Sequence, residues 1–159
     1  MNTWFEVEKS IYKTKIFLFN NLSPSPFRQE DPIKCNDCIL RYISVLIVSG
    51  KIKVNKINHK DNFWSPSIID PNSEIKHHGS DWHNRKIEEI NGYFLLKNYT
   101  TKKEPNLHYG RADLGISGLN IFIEVGTVNF YKLLINCIQM KNCVIIVAPN
   151  DNYILEFYL

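Results

Sequence analysis

The first fifty residues change their hydrophobic period once. From Ile11 to Phe19, apolar and polar side chains alternate closely enough to predict a strand, and the turn-rich stretch from Asn20 to Pro26 ends it. After Pro32, apolar residues recur at helical spacing, which predicts a helix from about Ile33 to Ser49 that stops at Gly50. We expect this helix to pack its apolar stripe on a sheet, the stripe being Ile39, Ile43, Leu46 and Ile47.

The stretch from Lys51 to Pro105 is polar and rich in turn signals, which is the pattern of an insertion or a flap. Inside it, Asp81 to Ile90 predicts a short helix and Gly92 to Tyr99 predicts a strand. A basic cluster in this stretch has two interpretations, a contact with a phosphate backbone or a solvated surface. The cluster consists of Lys51, Lys53, Lys56 and Lys60.

The last third has the clearest pattern. Arg111 to Ile116 and Leu119 to Val125 flank a turn, and together they predict a β-hairpin. A buried strand from Cys143 to Ala148 and an edge strand from Tyr153 to Tyr158 are expected further on. Between hairpin and buried strand lies a predicted helix with an apolar stripe and a polar opposite side. The stripe is Phe130, Leu133, Leu134, Cys137 and Ile138, and the polar side is Asn129, Lys132, Asn136 and Gln139.

This order of elements predicts the fold class. A helix that connects two neighbouring strands favours a right-handed βαβ unit with parallel strands. The chain of 159 residues, 44% apolar and 22% charged, is large enough for a single domain with its own core. We therefore expect one α/β (α+β) domain.

Charge and hydropathy exclude some classes of protein. A net charge of +3 permits an anionic partner without indicating one. The longest apolar stretch, Ile39 to Val48, contains Arg41 and is too short to cross a bilayer. Met1 to Ser10 lacks the apolar region of a secretory signal. We expect no membrane partner.

The four cysteines leave two interpretations open. Cys35 and Cys38 have the spacing of half a zinc site, but Cys137 and Cys143 lack it. Four reduced thiols in a reducing cytosol is the favoured interpretation, so we expect a cytoplasmic protein. The other is a zinc site formed by Cys35, Cys38 and the His-rich run from His77 to His83.

Two carboxylates of the hairpin carry the candidate chemistry. Glu124 lies inside the apolar run Ile121 to Val125, where an ionised carboxylate without a partner is costly. The predicted turn brings Asp113 to the same end of the sheet, and two like charges that close favour a cation between them. The alternative is structural: Asp113 caps a turn, and Glu124 pairs with a Lys or Arg of a neighbouring helix.

This hairpin resembles that of a known superfamily. Gly110 to Asp113 and Ile123 to Thr127, with ten residues between Asp113 and Glu124, are similar to the acidic hairpin of PD-(D/E)xK nucleases. In two branches, the YaeQ-like proteins and the influenza-type cap-snatching endonuclease domains, the second acid is followed by an apolar residue and Gly, as in Glu124, Val125 and Gly126. The resemblance covers about fifty residues at the end of the chain, from Gly110 to Leu159.

The resemblance implies a fold, a cofactor and an activity. The fold is a restriction-endonuclease-like core, a central mixed sheet flanked by helices. Asp113, Glu124 and the backbone carbonyl of Val125 would bind Mg²⁺ or Mn²⁺, and the activity would be hydrolysis of phosphodiester bonds in DNA or RNA. A divalent cation suits this reaction because it neutralises charge on the phosphate and acidifies the attacking water.

Two positions depart from the family pattern. Ala112 stands where the family often has Pro, and Gly126 occupies the position of the family's lysine. In such branches the following helix usually supplies the lysine, which makes Lys132 the candidate general base or water-orienting group. Helical geometry sets Lys132 opposite the apolar stripe, so it lies either at the lip of the cleft or in solvent. Lys97, Lys141 and Gln139 are the alternatives.

Further ligands and a second function stay open. His83 or His108 would add a nitrogen ligand unless the His-rich run is solvated surface, and Asp37 would be the acid that a first helix contributes. The leading prediction is a metal-dependent endonuclease whose partner is nucleic acid. The alternative is a catalytically inactive binding module of the same fold that acts as an inhibitor or accessory protein. A homodimer and a protein partner are further open alternatives.

Overall fold

The computed structural model describes residues 3–22, 36–58 and 80–159. These ranges contain four helices and six strands. The helices are α1 (Trp4–Asn21), α2 (Asn36–Val48), α3 (Asp81–Leu96) and α4 (Phe130–Gln139). The strands are β1 (Lys53–Asn58), β2 (Thr101–Lys103), β3 (Leu114–Ile116), β4 (Ile121–Val125), β5 (Val144–Ala148) and β6 (Tyr153–Tyr158).

The six strands form one mixed sheet in the order β1, β6, β5, β4, β3, β2. Every neighbouring pair is antiparallel except β4 and β5, which are parallel and are connected by α4. Alternate residues of β5 point to opposite faces, so Ile145 and Val147 join one core and Ile146 and Ala148 the other. Helices α1, α2 and α4 cover the first face, and α3 covers the second. The predicted α/β class with a mixed, helix-flanked sheet is confirmed at this level.

The predicted first strand is wrong, because Ile11 to Phe19 lies within α1. Thr3 caps the helix by accepting a hydrogen bond from the N–H of Glu6. Ile11, Leu18 and Leu22 are buried at i, i+7 and i+11, which is one helical stripe. Exposed apolar side chains outside this stripe, such as Phe19, produced the false alternation. The predicted turn-rich stretch, Asn20 to Pro26, begins in the last turn of α1, and its residues 23–26 lie outside the described ranges.

The second predicted helix is confirmed over Asn36–Val48, and residues 33–35 lie outside the described ranges. Ile39 and Ile43 are buried in the core that also holds Ile145 and Val147 of β5, and the rest of the stripe packs against that core. Gly50 ends the helix in the left-handed region, with φ of 76°. The apolar stripe of α2 therefore packs on the sheet, as its spacing predicted.

The described part of the stretch interpreted as an insertion or a flap contains β1, α3 and β2. Helix α3 continues through Gly92 to Leu96, so the predicted strand at Gly92 to Tyr99 is wrong, whereas the predicted helix is confirmed and longer. Phe94 extends its buried face beyond the predicted end at Ile90. Strand β1 forms one edge of the sheet. Strand β6 is therefore an interior strand, not the predicted edge strand, because β1 pairs with its outer side.

A buried ion pair ties α3 to the loop between β5 and β6. Lys86 is 3% exposed, and its Nζ lies 2.9 Å from Asp151 Oδ1 and 3.3 Å from Glu89 Oε2. The indole N–H of Trp82 donates a 3.0 Å hydrogen bond to the other oxygen of Asp151. These contacts fix the first turns of α3 against the end of the sheet where β5 finishes.

We expect Lys86→Met to lower the free energy of unfolding by about 3 kcal/mol, because Asp151 would stay buried without its cation. Adding Asp151→Asn should recover part of this loss, since it removes the orphaned charge and keeps an acceptor for Trp82. Lys103→Met is the matched control, because Lys103 pairs with Glu88 at the exposed surface. Urea unfolding gives the free energy of unfolding of wild type, Lys86→Met, the double variant and Lys103→Met. Equal losses for Lys86→Met and Lys103→Met would show that the buried pair does not anchor α3.

Candidate functional site

The β3–β4 hairpin sets the two carboxylates side by side. Leu114 pairs with Ile123 across the antiparallel ladder, and one further step of this register places Asp113 opposite Glu124. Asp113 Oδ2 accepts a 2.7 Å hydrogen bond from the N–H of Val125. The predicted hairpin is confirmed, and Asp113 lies at its open end just before β3 begins.

Glu124 is a buried carboxylate on the α4 side of the sheet. Burial raises the pKa of Glu124 to about 7, and nearby Asp113 also raises it, while Lys132 acts in the opposite direction. The ammonium of Lys132 contacts Glu124 Oε1. The cost of burying the charge therefore exceeds the attraction of its lysine partner, and the site favours additional positive charge.

Lys132 lies at the lip of the cleft, which was one of its two predicted positions. It is the third residue of α4, and its N–H donates a 2.9 Å hydrogen bond to the capping side chain of Asn129. Its Nζ also donates a 2.8 Å hydrogen bond to the carbonyl of Arg111, and the side chain is only 17% exposed. The first turn of the helix directs Lys132 to Glu124 instead of to solvent.

The other candidate polar groups lie away from these carboxylates. Lys141 and Gln139 are exposed near the end of α4, and Lys97 is exposed beyond α3, with its Nζ 5.9 Å from the ring centre of Tyr93. Asp37 is exposed and pairs with Lys15 at 2.9 Å. Asp37 therefore does not complete this site.

His83 reaches the site from the opposite face of the sheet. Its Nε2 lies 3.4 Å from Asp113 Oδ1, and the residue is 4% exposed. Ser80 caps α3 and accepts a 3.2 Å hydrogen bond from the N–H of His83, which fixes the histidine in the first turn. His108 is exposed in the loop before β3. Of the two histidines considered from the sequence, His83 is the one beside a carboxylate.

The carboxylates and the lysine open into one cleft of about 300 Å³. At its rim, Arg111 lies 3.7 Å from Glu104, and both side chains are largely exposed. Ala112, at the position where the resembled family often has Pro, lines its wall. The full lining is Glu104, Arg111, Ala112, Asp113, Glu124, Thr127, Asn129 and Lys132.

The polar side of α4 is less solvated than its pattern predicted. Asn136 is completely buried, because its amide group exchanges hydrogen bonds with the backbone of Tyr109. Ile138, expected in the apolar stripe, is 38% exposed. The loop before β3 covers this side of the helix, which the helical period alone does not reveal.

Two carboxylates of the cleft are candidate ligands for a divalent cation, and one of them, Glu124, pairs with a lysine. Within residues 3–22, 36–58 and 80–159, no group of three or more His, Cys, Asp or Glu side chains is arranged to hold a metal ion. Asp113 and Glu124 supply carboxylate oxygens in one cleft, and His83 lies behind Asp113. Carboxylates suit Mg²⁺ and Mn²⁺. The ion pair between Lys132 and Glu124 equally matches the structural alternative, so the response to metal distinguishes the two interpretations.

None of the three cysteines within the described ranges lines this cleft. Cys38 is exposed, while Cys137 and Cys143 are buried free thiols. Burial raises the pKa of Cys137 to about 12, which keeps it a protonated core side chain. Cys35 and the first two histidines of the His-rich run lie outside the described residues, as does Lys60 of the basic cluster.

The raised pKa of Glu124 predicts a pH-dependent stability. The folded protein keeps this proton up to about pH 7, whereas the unfolded chain releases it near 4.5. The stabilising contribution is therefore complete below pH 4.5 and is lost as the pH rises through about 7. We expect metal-free wild type to lose on the order of 2 to 3 kcal/mol relative to Glu124→Gln across this interval. Urea unfolding at pH 5 and pH 8 measures the difference, and identical pH profiles would contradict it.

Comparisons of the chain with family models, curated proteins and solved structures found no match. The site is therefore interpreted from its geometry and from the resemblance of the hairpin. Among the described residues, no helix combines the length and the apolar character needed to cross a bilayer.

Proposed function

We propose that this chain is a divalent-metal-dependent endonuclease with a PD-(D/E)xK core that hydrolyses phosphodiester bonds of DNA or RNA. One observation carries the proposal: two carboxylates on paired strands share a cleft with a lysine ammonium that contacts one of them. The parallel pair β4 and β5, connected by α4, places that lysine on the helix directly after the second acid.

Asp113, Glu124 and the carbonyl of Val125 would hold Mg²⁺ or Mn²⁺. When bound, the cation would neutralise the charge that builds up on the scissile phosphate and acidify the attacking water. The hydrogen bond from Val125 N–H to Asp113 keeps the two strand ends in register, which supports a shared cation at this end of the hairpin.

Lys132 would orient the attacking water and stabilise negative charge beside Glu124. It is suited to this role because hydrogen bonds at both ends restrict it: its N–H bonds to Asn129, and its Nζ bonds to the Arg111 carbonyl. A group that orients or deprotonates the attacking water must lie within hydrogen-bond reach of it, and a restricted lysine side chain suits this requirement. Backbone amides at the start of α4 offer an anion site for the phosphate.

His83 would contribute through Asp113, either as a nitrogen ligand or by orienting the carboxylate. We expect His83→Gln to weaken Mn²⁺ binding about 10- to 100-fold, the range typical for loss of such a group. His108→Gln is the matched control, because His108 is exposed. Isothermal titration with Mn²⁺ measures both variants. Equal affinities for His83→Gln and wild type would remove His83 from the site.

The test of this proposal is a nuclease assay with Mn²⁺ or Mg²⁺ on single- and double-stranded DNA and RNA. Wild type should cleave at least one of these substrates, and Asp113→Asn should not. Cleavage that persists in Asp113→Asn would identify a contaminating nuclease. If wild type binds nucleic acid without cleaving it, the proposed endonuclease activity is contradicted and the inactive binding module is favoured.

A further inference from the structure

A buried asparagine fastens the loop before β3 to α4. The N–H of Tyr109 donates a 2.9 Å hydrogen bond to Asn136 Oδ1, and Asn136 Nδ2 donates a 2.9 Å bond to the carbonyl of Tyr109. The same amide donates another 2.9 Å bond to the carbonyl of Lys132, one helical turn earlier. The side-chain amide of Asn136 thus pairs with both backbone groups of Tyr109, as a neighbouring β-strand would, and holds the loop on the helix.

The next loop residue gives the lysine its path to the cleft. Gly110 has φ of +77°, in the left-handed region, and a Cβ added there would lie 2.8 Å from Lys132 Cδ. The residue after it, Arg111, provides the carbonyl that accepts the 2.8 Å hydrogen bond from Lys132 Nζ. The lysine stem therefore crosses Gly110, and its tip is held by Arg111 next to Glu124.

We infer that Gly110 and Asn136 are positioning residues for Lys132. Asn136 fixes the loop on α4, and Gly110 leaves the space through which the lysine side chain reaches Glu124. Neither residue lines the cleft, so both act through the lysine instead of on the substrate. The inference rests on the proposed function for its catalytic consequence, but the geometry that it describes is independent of any activity.

Gly110→Ala and Gly118→Ala form a matched pair for the test. Both glycines are exposed and have positive φ, so alanine strains the backbone similarly, but nothing lies within 4 Å of a Cβ at Gly118. The probe is the side-chain NMR signal of Lys132 in lysine-labelled protein, assigned by its loss in Lys132→Met. We expect this signal to move to the position of exposed lysines in Gly110→Ala and to stay unchanged in Gly118→Ala.

The kinetic arm uses the nucleic acid that wild type cleaves in the nuclease assay. Gly110→Ala should lower kcat about 100-fold with little change in KM, as expected when a catalytic group is displaced by about 1 Å. Gly118→Ala should retain wild-type kcat. Asn136→Ala should reproduce both the shifted Lys132 signal and the lowered kcat of Gly110→Ala. If Asn136→Ala does not fold, the two glycine variants still test whether Gly110 positions the lysine.

An unchanged Lys132 signal in Gly110→Ala, or equal shifts in both glycine variants, would overturn the inference. Absence of hydrolysis by wild type would instead contradict the proposed function, and the NMR comparison would still decide whether Gly110 positions the lysine. The two failures are therefore distinguishable.

Discussion

Glu124→Gln should eliminate hydrolysis, with a loss of at least about 1,000-fold in kcat, since metal-based acidification and charge neutralisation supply several kcal/mol. The substitution keeps the volume of a buried side chain and removes the charge that would hold the cation. The fold should survive because the neutral form is already favoured by burial, which raises the pKa of Glu124 to about 7. Steady-state cleavage rates and circular dichroism measure the two effects.

Glu156→Gln is the matched control for this variant. Glu156 is also a buried glutamate of the central sheet, but it lies on β6 and contacts the hydroxyl of Tyr158, away from the cleft. We expect it to retain cleavage within about threefold. If Glu124→Gln cleaves as fast as Glu156→Gln, Glu124 has no part in the chemistry.

Lys132→Met should lower kcat by about 100- to 10,000-fold, the range that one positioned acid–base group contributes. Methionine keeps most of the aliphatic stem over Gly110 and removes the ammonium that contacts Glu124. Mn²⁺ binding should be retained or strengthened in this variant, because the lysine no longer competes with the cation for the carboxylate. Cleavage assays and titration with Mn²⁺ measure these opposite effects.

Lys97→Met and Lys141→Met are the controls, since both lysines are exposed and neither lines the cleft. Each should keep wild-type cleavage. If either control loses as much cleavage activity as Lys132→Met, Lys132 is not the catalytic lysine. The catalytic lysine is then at the control position, or removal of any lysine charge lowers cleavage.

The hairpin, α4 and β5 were predictable because their signals are local. A four-residue turn connects β3 to β4, and the apolar period of α4 matches a single face for most of its length. The register that sets Asp113 opposite Glu124 follows from this short connection. The sequence predicts two alternative positions for Lys132, the lip of the cleft or solvent. The residue at which α4 begins decides between them.

The elements that the sequence pattern missed or cut short depend on contacts that a local pattern does not contain. Strand β1 is an edge strand with mostly exposed residues, so it shows no alternation. Helix α3 continues through Gly92 because Ile90 and Phe94 pack on the sheet, which outweighs the low helix propensity of glycine. His83 and Asp113 are far apart in the sequence, so no local pattern predicts the contact between their side chains.

The most direct measurement of the central claim is a set of thermal melts of wild type and Glu124→Gln at pH 8, each with and without Mn²⁺. A cation held by Asp113 and Glu124 predicts that wild type gains stability with Mn²⁺, by about 2.7 kcal/mol at 100 times Kd, and that Glu124→Gln gains none. Without metal, Glu124→Gln should melt no lower than wild type, because it removes a buried charge that Lys132 does not fully compensate. A wild type indifferent to Mn²⁺, beside a Glu124→Gln variant destabilised without metal, would contradict the account and leave Glu124 as the structural partner of Lys132.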